Sequence, residues 1–194
     1  MTIIDISKEL FSTPAYPGDP TASLRFVQRL EEGGACNLSE LTAGSHNGTH
    51  MDAPLHFVEN GADISEVDLS RCCGPCVVVK ANGILNMQQM EQLLKDTENP
   101  ERLLLSGEVW LSREAAVAAA MAGVRLIGTQ QASIAPEEDS SGPHCALLSA
   151  EVAVLENLAL ETVKPGAYLL CALPLKNRGA EAAMVRAVLF DGCW

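Results

Sequence analysis

Apolar positions along the chain gather into short β-branched or leucine-rich runs divided by Gly, Pro, Asp and Asn. The runs at Thr2 to Ile6, Leu24 to Leu30, Cys76 to Lys80, Leu103 to Leu105, Val124 to Ile127, Tyr168 to Leu173 and Val185 to Phe190 predict strands. Two segments repeat instead at the helical period. One is Met87 to Lys95, where Met87, Met90 and Leu94 make an apolar stripe; the other is Arg113 to Ala122, with Ser112 as N-cap and Gly123 as stop. Strand, helix, strand, helix, strand through the middle argues for an α/β fold with some parallel pairing. The first third is rich in strands and turns, as at Tyr16-Pro17-Gly18-Asp19-Pro20, which favours a mixed sheet over a plain doubly wound one. Segment 130–146, rich in Pro, Ser, Glu and Asp, is expected to be a long surface loop of the kind that carries function.

A chain of 194 residues at 47% hydrophobic composition can bury one sizeable core and is short for two. With no internal repeat or linker-like shift, a single domain over residues 1–194 is expected. The 13 Lys and Arg against 25 Asp and Glu leave a net charge of −12, which repels phosphate backbones and anionic lipid surfaces. Neither nucleic acid nor membrane is therefore expected as a partner, and a bound divalent cation would offset part of the charge locally. The start, Met1 to Ser7, has no secretory-signal pattern and no run is long and apolar enough to span a bilayer, so the cytoplasm is the expected compartment. Seven scattered cysteines, several among apolar neighbours as in Leu170-Cys171-Ala172, read as reduced core thiols.

The chemistry concentrates between His46 and His56, a stretch that holds three of the chain's four histidines together with Asp52. The fourth, His144, lies in segment 130–146. Such concentration argues against histidines satisfied singly by hydrogen bonds. Imidazoles with a carboxylate suit zinc or manganese, and a carboxylate can bridge two cations, so the set can hold one metal or two. Gly48, Thr49 and Pro54 oppose a helix here; in an extended strand or loop edge, His50 and Asp52 point to one side, and Gly48 lets the backbone bend close to a bound ion.

A second motif, Cys73-Gly74-Pro75-Cys76, matches the thioredoxin-type redox sequence letter for letter. That chemistry needs a helix after the motif to lower the first thiol's pKa. Val77-Val78-Val79 follows instead and reads as strand, so no redox role is expected.

The run His46-Asn47-Gly48-Thr49-His50-Met51-Asp52-Ala53-Pro54-Leu55-His56-Phe57 resembles the signature of the cyclase family of metal-dependent hydrolases, whose best-known type is bacterial kynurenine formamidase. Tyr16-Pro17-Gly18-Asp19, Gly74-Pro75-Cys76, Leu126-Ile127-Gly128, Ala172-Leu173-Pro174-Leu175-Lys176 and Val185-Arg186-Ala187-Val188-Leu189 extend the resemblance over nearly the whole chain. It implies a swivelling β/β/α fold assembled as a homodimer or larger. It also implies metal-dependent hydrolysis of a C–N amide bond in a small-molecule substrate, first an arylformamide such as N-formylkynurenine. By the resemblance, His46, His50 and Asp52 hold one metal, and Asp52 is shared with a second that His144 and Glu156 complete. His56 is then the catalytic acid and base rather than a ligand. Zinc is the implied metal and manganese the alternative, with one or two ions per chain. Without the resemblance, Glu156 would pass for a solvated acid.

Departures from the family pattern also matter. Tyr16 stands where kynurenine formamidases carry a substrate-stacking tryptophan, and keeps an aromatic face while adding a hydroxyl. Gly128-Thr129-Gln130 replaces Gly-Ile-Asp or Gly-Val-Asp and removes a carboxylate; the chain is also shorter than many relatives around Ser106 to Trp110. Two other functions stay open: opening of a cyclic amide or imide such as an isatin-like ring, and a catalytically silent metal-binding role, against which His56 argues. Arg186 is expected to pair with a carboxylate in or beside the sheet, and Trp194 to be frayed or docked on a neighbouring subunit.

Overall fold

The computed structural model describes residues 1–192; Trp194 lies outside them. In chain order the elements are β1 (Thr2–Asp5), β2 (Ser23–Gln28), β3 (Leu38–Thr42), β4 (His50–Asp52), α1 (Leu69–Cys72), β5 (Cys73–Lys80), β6 (Gly83–Leu85), α2 (Met87–Asp96), β7 (Arg102–Ser106) and β8 (Val109–Leu111). They continue with α3 (Arg113–Met121), β9 (Leu126–Thr129), α4 (Gly142–Ser149), β10 (Ala153–Glu156), β11 (Gly166–Cys171), β12 (Ala182–Met184) and β13 (Val188–Asp191). A nine-stranded mixed sheet runs β1-β13-β11-β5-β7-β9-β10-β4-β12. It is parallel from β5 through β7 and β9 to β10, and antiparallel on either side. Strands β2 and β3 form a separate antiparallel ribbon, and β6 pairs with β8.

Alternation along the central strands builds two cores. Leu103, Leu105, Ile127 and Val154 face one way, onto Met90 and Leu94 of α2, Ala115 and Ala119 of α3, and Leu147 of α4. Leu104, Leu126 and Leu155 face the other way, among Ile6, Met51, Val78, Leu170 and Leu189. Each fully buried leucine contributes about 1.5–3 kcal/mol of transfer free energy. The second core gathers side chains from both ends of the strand order, Leu189 of β13 and Ala183 of β12, so the sheet curls around it. Backbone bonds tie the curl: Ile6 N donates to Ala187 O at 3.0 Å, and Ala159 N to Ile6 O at 2.9 Å. This is the mixed α/β architecture expected of the swivelling β/β/α fold.

Local signals placed both helices. Asn86 and Gln89 form a capping box ahead of α2; Ser112 caps α3 by accepting from Ala115 N, and the chain leaves through Gly123 at φ 87°. Segment 130–146 is a correction. The exposed loop covers only its middle, Glu137 to Ser141: before it Ile134 and Ala135 are buried, and from Gly142 the chain winds into α4. Pro143, which reads as a breaker, occupies the first turn, where a missing N–H costs nothing, and Asp139 Oδ1 accepts from Gly142 N at 2.9 Å.

The predicted strand Val185 to Phe190 begins later than expected, at Val188. β13 covers only its end, because Val185 N turns to Thr49 O at 2.9 Å and Ala187 N to Ser7 Oγ at 2.8 Å, leaving Ala182–Met184 as a strand of its own. The Cys73–Cys76 segment belongs to β5, in continuous register with β11. Strand periodicity turns the two cysteines to opposite faces. Cys73 Sγ lies 3.3 Å from Cys171 Sγ across the strands, whereas Cys76 is buried, its thiol pushed up to about 12 by burial. Arg186 pairs with Asp5 at the end of β1, Nε to Oδ1 at 3.0 Å. Among the described residues no helix is long and apolar enough to cross a membrane.

Candidate metal centre

β4 is a strand, as expected, but it is flanked on both sides rather than lying at an edge, by β10 and β12. Period two puts His50 and Asp52 on one face and sends Met51 into the core on the other. Antiparallel register with β10 sets Glu156 directly opposite His50. The approach to β4 is a tight turn in which Asn47 Oδ1 accepts from Gly44 N at 2.7 Å. Gly48 then takes a left-handed φ of 62°. A Cβ at this position would meet Leu10 at 3.2 Å, so glycine here serves both the turn and the close packing of Leu10. Thr49 pins the loop by donating to Asn157 O at 2.6 Å and accepting from Lys8 N at 2.8 Å.

The side chains converge on Asp52, which has no accessible surface. Its Oδ1 lies 3.2 Å from His46 Nδ1 and 3.5 Å from His50 Nε2. Its Oδ2 lies 3.7 Å from His144 Nε2, which is itself 3.1 Å from Glu156 Oε1; Glu156 Oε2 is 3.4 Å from His50 Nε2. Two groups result, His46 with His50 and Asp52, and Asp52 with His144 and Glu156, each with its ligand atoms within 4.8 Å of one another. α4 delivers His144, and Glu156 is further held by Ile134 N at 2.7 Å.

The donor set fits a divalent cation. His50 Nε2 and both oxygens of Asp52 are buried without a hydrogen-bond partner among the described residues. Leaving such an atom unpaired costs about 1–3 kcal/mol, so three side by side call for a common counterpart. The far nitrogens are already committed: His50 Nδ1 meets Gly48 O at 3.0 Å and His144 Nδ1 meets Ser140 O at 2.7 Å. A carbonyl only accepts, so in the neutral rings those nitrogens carry the protons and both Nε2 lone pairs face the carboxylates.

His56 belongs to neither group. It ends a short turn, Pro54–His56, and its ring lies on that of His46 at 4.3 Å, edge-on to Phe57 at 4.4 Å and to His144 at 5.8 Å. Phe57 stacks on His144 at 4.7 Å. A cavity of about 250 Å³ opens over the cluster, walled by Tyr16, Asp19, Phe57 and Ser133, and His56 faces it.

Glu181 was not foreseen. Its Oε1 lies 3.2 Å from His46 Nε2 and accepts from Ser45 Oγ at 2.5 Å. Nothing in its neighbourhood sets it apart from the other acids of the chain.

Charge and burial compete in the metal-free cluster. Burial pulls the His50 and His144 pKa values down, but Glu156 and Asp52 outweigh it and carry both up to about 9. His46 is raised in the same way by Asp52 against burial. Burial pushes Glu156 up, yet the two histidines hold it well below the usual carboxylate range. His56 goes the other way: burial lowers it, Asp52 opposing, with His46 and His144 adding to the fall.

Residues 4–136 match the Cyclase family model. The chain belongs to the cyclase family. Kynurenine formamidase of Sphingopyxis alaskensis is 38% identical over 204 residues, covering 96% of this chain and 97% of that protein. Kynurenine formamidase of Erythrobacter litoralis is 35% identical over 201 residues, covering 96% and 93%. Among solved structures, a potential metal-dependent hydrolase with cyclase activity superposes with a TM-score of 0.81 at 26% identity over 98% of each chain. Isatin hydrolase A from Ralstonia solanacearum shares the fold, with a TM-score of 0.83 at 16% identity over 97% of this chain and 91% of that one.

A pH dependence follows from these shifts. Histidines raised to about 9 stabilise the metal-free fold fully below their unfolded value near 6.5, and that contribution is lost as pH rises towards 9. Glu156, depressed, acts oppositely and its contribution is lost only in acid. Metal-stripped protein should therefore melt at falling temperature between pH 6.5 and 9. Over the same interval its affinity for a divalent cation, measured against a competing chelator, should climb, because an ion held by this cluster would have to displace protons from His50 and His144. A flat affinity across that range would contradict the ligand assignment.

Proposed function

We propose that this chain is a metal-dependent amidohydrolase acting on a small arylformamide, with N-formylkynurenine as the first candidate substrate. One observation carries the reading: unpartnered, buried imidazole and carboxylate atoms converge at the floor of a cavity that a non-ligand histidine also faces. The names of the relatives support the choice of substrate. His46, His50 and Asp52 would hold one ion, and Asp52, His144 and Glu156 a second. Zinc is the proposed metal, with manganese as the alternative for the same donor set. Bound there, a divalent cation supplies Lewis acidity and makes water a nucleophile near neutral pH.

The chain's own residues supply the rest. His56, lowered by burial, is neutral near pH 7 and has a free nitrogen for a proton. It takes that proton from the attacking water and passes it to the departing nitrogen. Phe57 buttresses His144, and through stacking on His46 the His56 ring keeps its place. Tyr16 on the cavity wall offers an aromatic face to the substrate ring. A space of about 250 Å³ admits a single-ring substrate with short substituents.

The setting proposed is the cytoplasm and the assembly a homodimer or larger. The ribbon β2–β3 supports the second point: Leu24, Phe26, Val27, Leu38 and Leu41 on it are each 40–49% exposed, more apolar surface than a lone ribbon keeps in water. Sedimentation velocity should find two or more copies associated; a monomer at micromolar concentration would end that reading.

Replacing His56 with alanine should lower kcat about 10²–10⁴-fold while zinc content stays that of the unmodified protein. Asp52→Ala should remove the metal and the activity together. The assay is turnover of N-formylkynurenine beside formanilide and isatin, with and without chelator. Activity confined to the ring substrate would replace arylformamide hydrolysis by ring opening, and a metal-free, active Asp52→Ala protein would overturn the mechanism.

A further inference from the structure

Three imidazoles point at Asp52, and each must have its remote nitrogen occupied if the near one is to keep a lone pair. For His50 and His144 the occupant is a backbone carbonyl, Gly48 O and Ser140 O. For His46 it is a side chain: Nε2 lies 3.2 Å from Glu181 Oε1, while Nδ1 lies 3.2 Å from Asp52 Oδ1 on the opposite side of the ring. We propose that Glu181 is a positioning residue that fixes the ring orientation and tautomer of His46, so that Nδ1 faces Asp52 and the ion held there. The proposal rests on the metal-site reading above and adds to it the one orienting group that can be changed by substitution.

The physical need is plain from where His46 sits. It precedes β4 in irregular chain and keeps 17% of its side chain exposed, whereas His50 is locked in a strand and His144 in a helix. A ring in that setting can flip about Cβ–Cγ, which puts Cδ2 and Cε1 where Nδ1 and Nε2 stand, unless both nitrogens have partners. An ion held at Asp52 would take the Nδ1 lone pair, which leaves the proton of neutral His46 on Nε2, where the Glu181 carboxylate, an acceptor that never donates, meets it at 3.2 Å. An anionic acceptor also raises the basicity of the imidazole as a ligand, which a carbonyl does less strongly.

Glu181 is itself well placed to act as a fixed point. Ser45, the residue before His46, donates its hydroxyl to the same oxygen at 2.5 Å. Glu181 O accepts from Ala53 N at 2.8 Å, and the next residue, Ala182, lies in register with Asp52. The orienting carboxylate, on the residue just before β12, and the carboxylate at the centre of the cluster, on β4, are thus carried side by side. Because the His46 ring also lies on His56 at 4.3 Å, the same contact steadies the acid–base group.

The test is zinc affinity of metal-stripped protein, read by chelator competition, for Glu181→Ala, Glu181→Gln and Ser45→Ala. Glu181→Ala should weaken the site that contains His46 by about 10–100-fold, with the melting temperature of the metal-free protein little changed. Glu181→Gln keeps an accepting oxygen and should recover most of that loss. Ser45→Ala frees the carboxylate without removing it and should weaken the same site less; it also serves if the alanine variant at 181 fails to fold. In zinc-loaded protein, a slowly exchanging His46 Nε2–H should appear in ¹H–¹⁵N spectra and vanish in Glu181→Ala. Zinc bound by Glu181→Ala as tightly as by the unmodified protein, with that proton unchanged, overturns the proposal alone. An unmodified protein that takes up no zinc overturns the metal site and this proposal together.

Discussion

Taking a carboxylate out of water costs several kcal/mol unless opposite charge and hydrogen bonds meet it, and Asp52 has no accessible surface at all. Neither of its oxygens has a hydrogen bond from the described residues. What surrounds it is a ring of imidazole nitrogens at 3.2, 3.5 and 3.7 Å, divided between its two oxygens. In the metal-free protein those histidines meet the cost by holding protons, which is why His50 and His144 rise to about 9 against the pull of burial. A divalent cation does the same work with lone pairs that are already aimed, and that exchange of protons for metal links stability, ligation and chemistry in this molecule.

The fold is arranged to maintain this arrangement under cover. β4 is only three residues long, yet it is hydrogen-bonded on both sides, with Met51 anchored in the core beneath. The register of β10 brings Glu156 to His50, and the helix that follows β9 brings His144 to Glu156. Remote imidazole nitrogens are taken up by Gly48 O, Ser140 O and Glu181, so orientation is set by groups outside the cluster. The cavity above stays open on one side, where Tyr16 and His56 stand, and this gives access to a centre that is otherwise buried.

How much of this is legible in the sequence depends on how local each signal is. β5 and β7 and the helices α2 and α3 follow from apolar periodicity and capping residues, and the structure has them within a few residues of the expected ends. The pairing of His50 with Asp52 on one face follows from strand geometry alone. α4 was hidden because Pro136, Ser140, Ser141, Gly142 and Pro143 all signal turns, and only burial of Ile134 and His144 against the sheet overrides them. The break at Val185 depends on Thr49, far away in the chain, and has no local mark. His144 and Glu156 were named by resemblance to a family, not by their surroundings; three-dimensional register supplies the physical reason for Glu156. Glu181 escaped entirely, since its partner His46 is reached only when β12 folds against β4.

Asp52 stands at the shared centre of the proposed metal site. Diffraction from zinc-loaded crystals at the zinc absorption edge tests it most directly, because anomalous peaks locate the ions independently of any assumed ligand. One or two peaks are expected in contact with Asp52, the first bounded by His46 and His50 and the second by His144 and Glu156. A peak coordinated by His56, or one remote from Asp52, would contradict it.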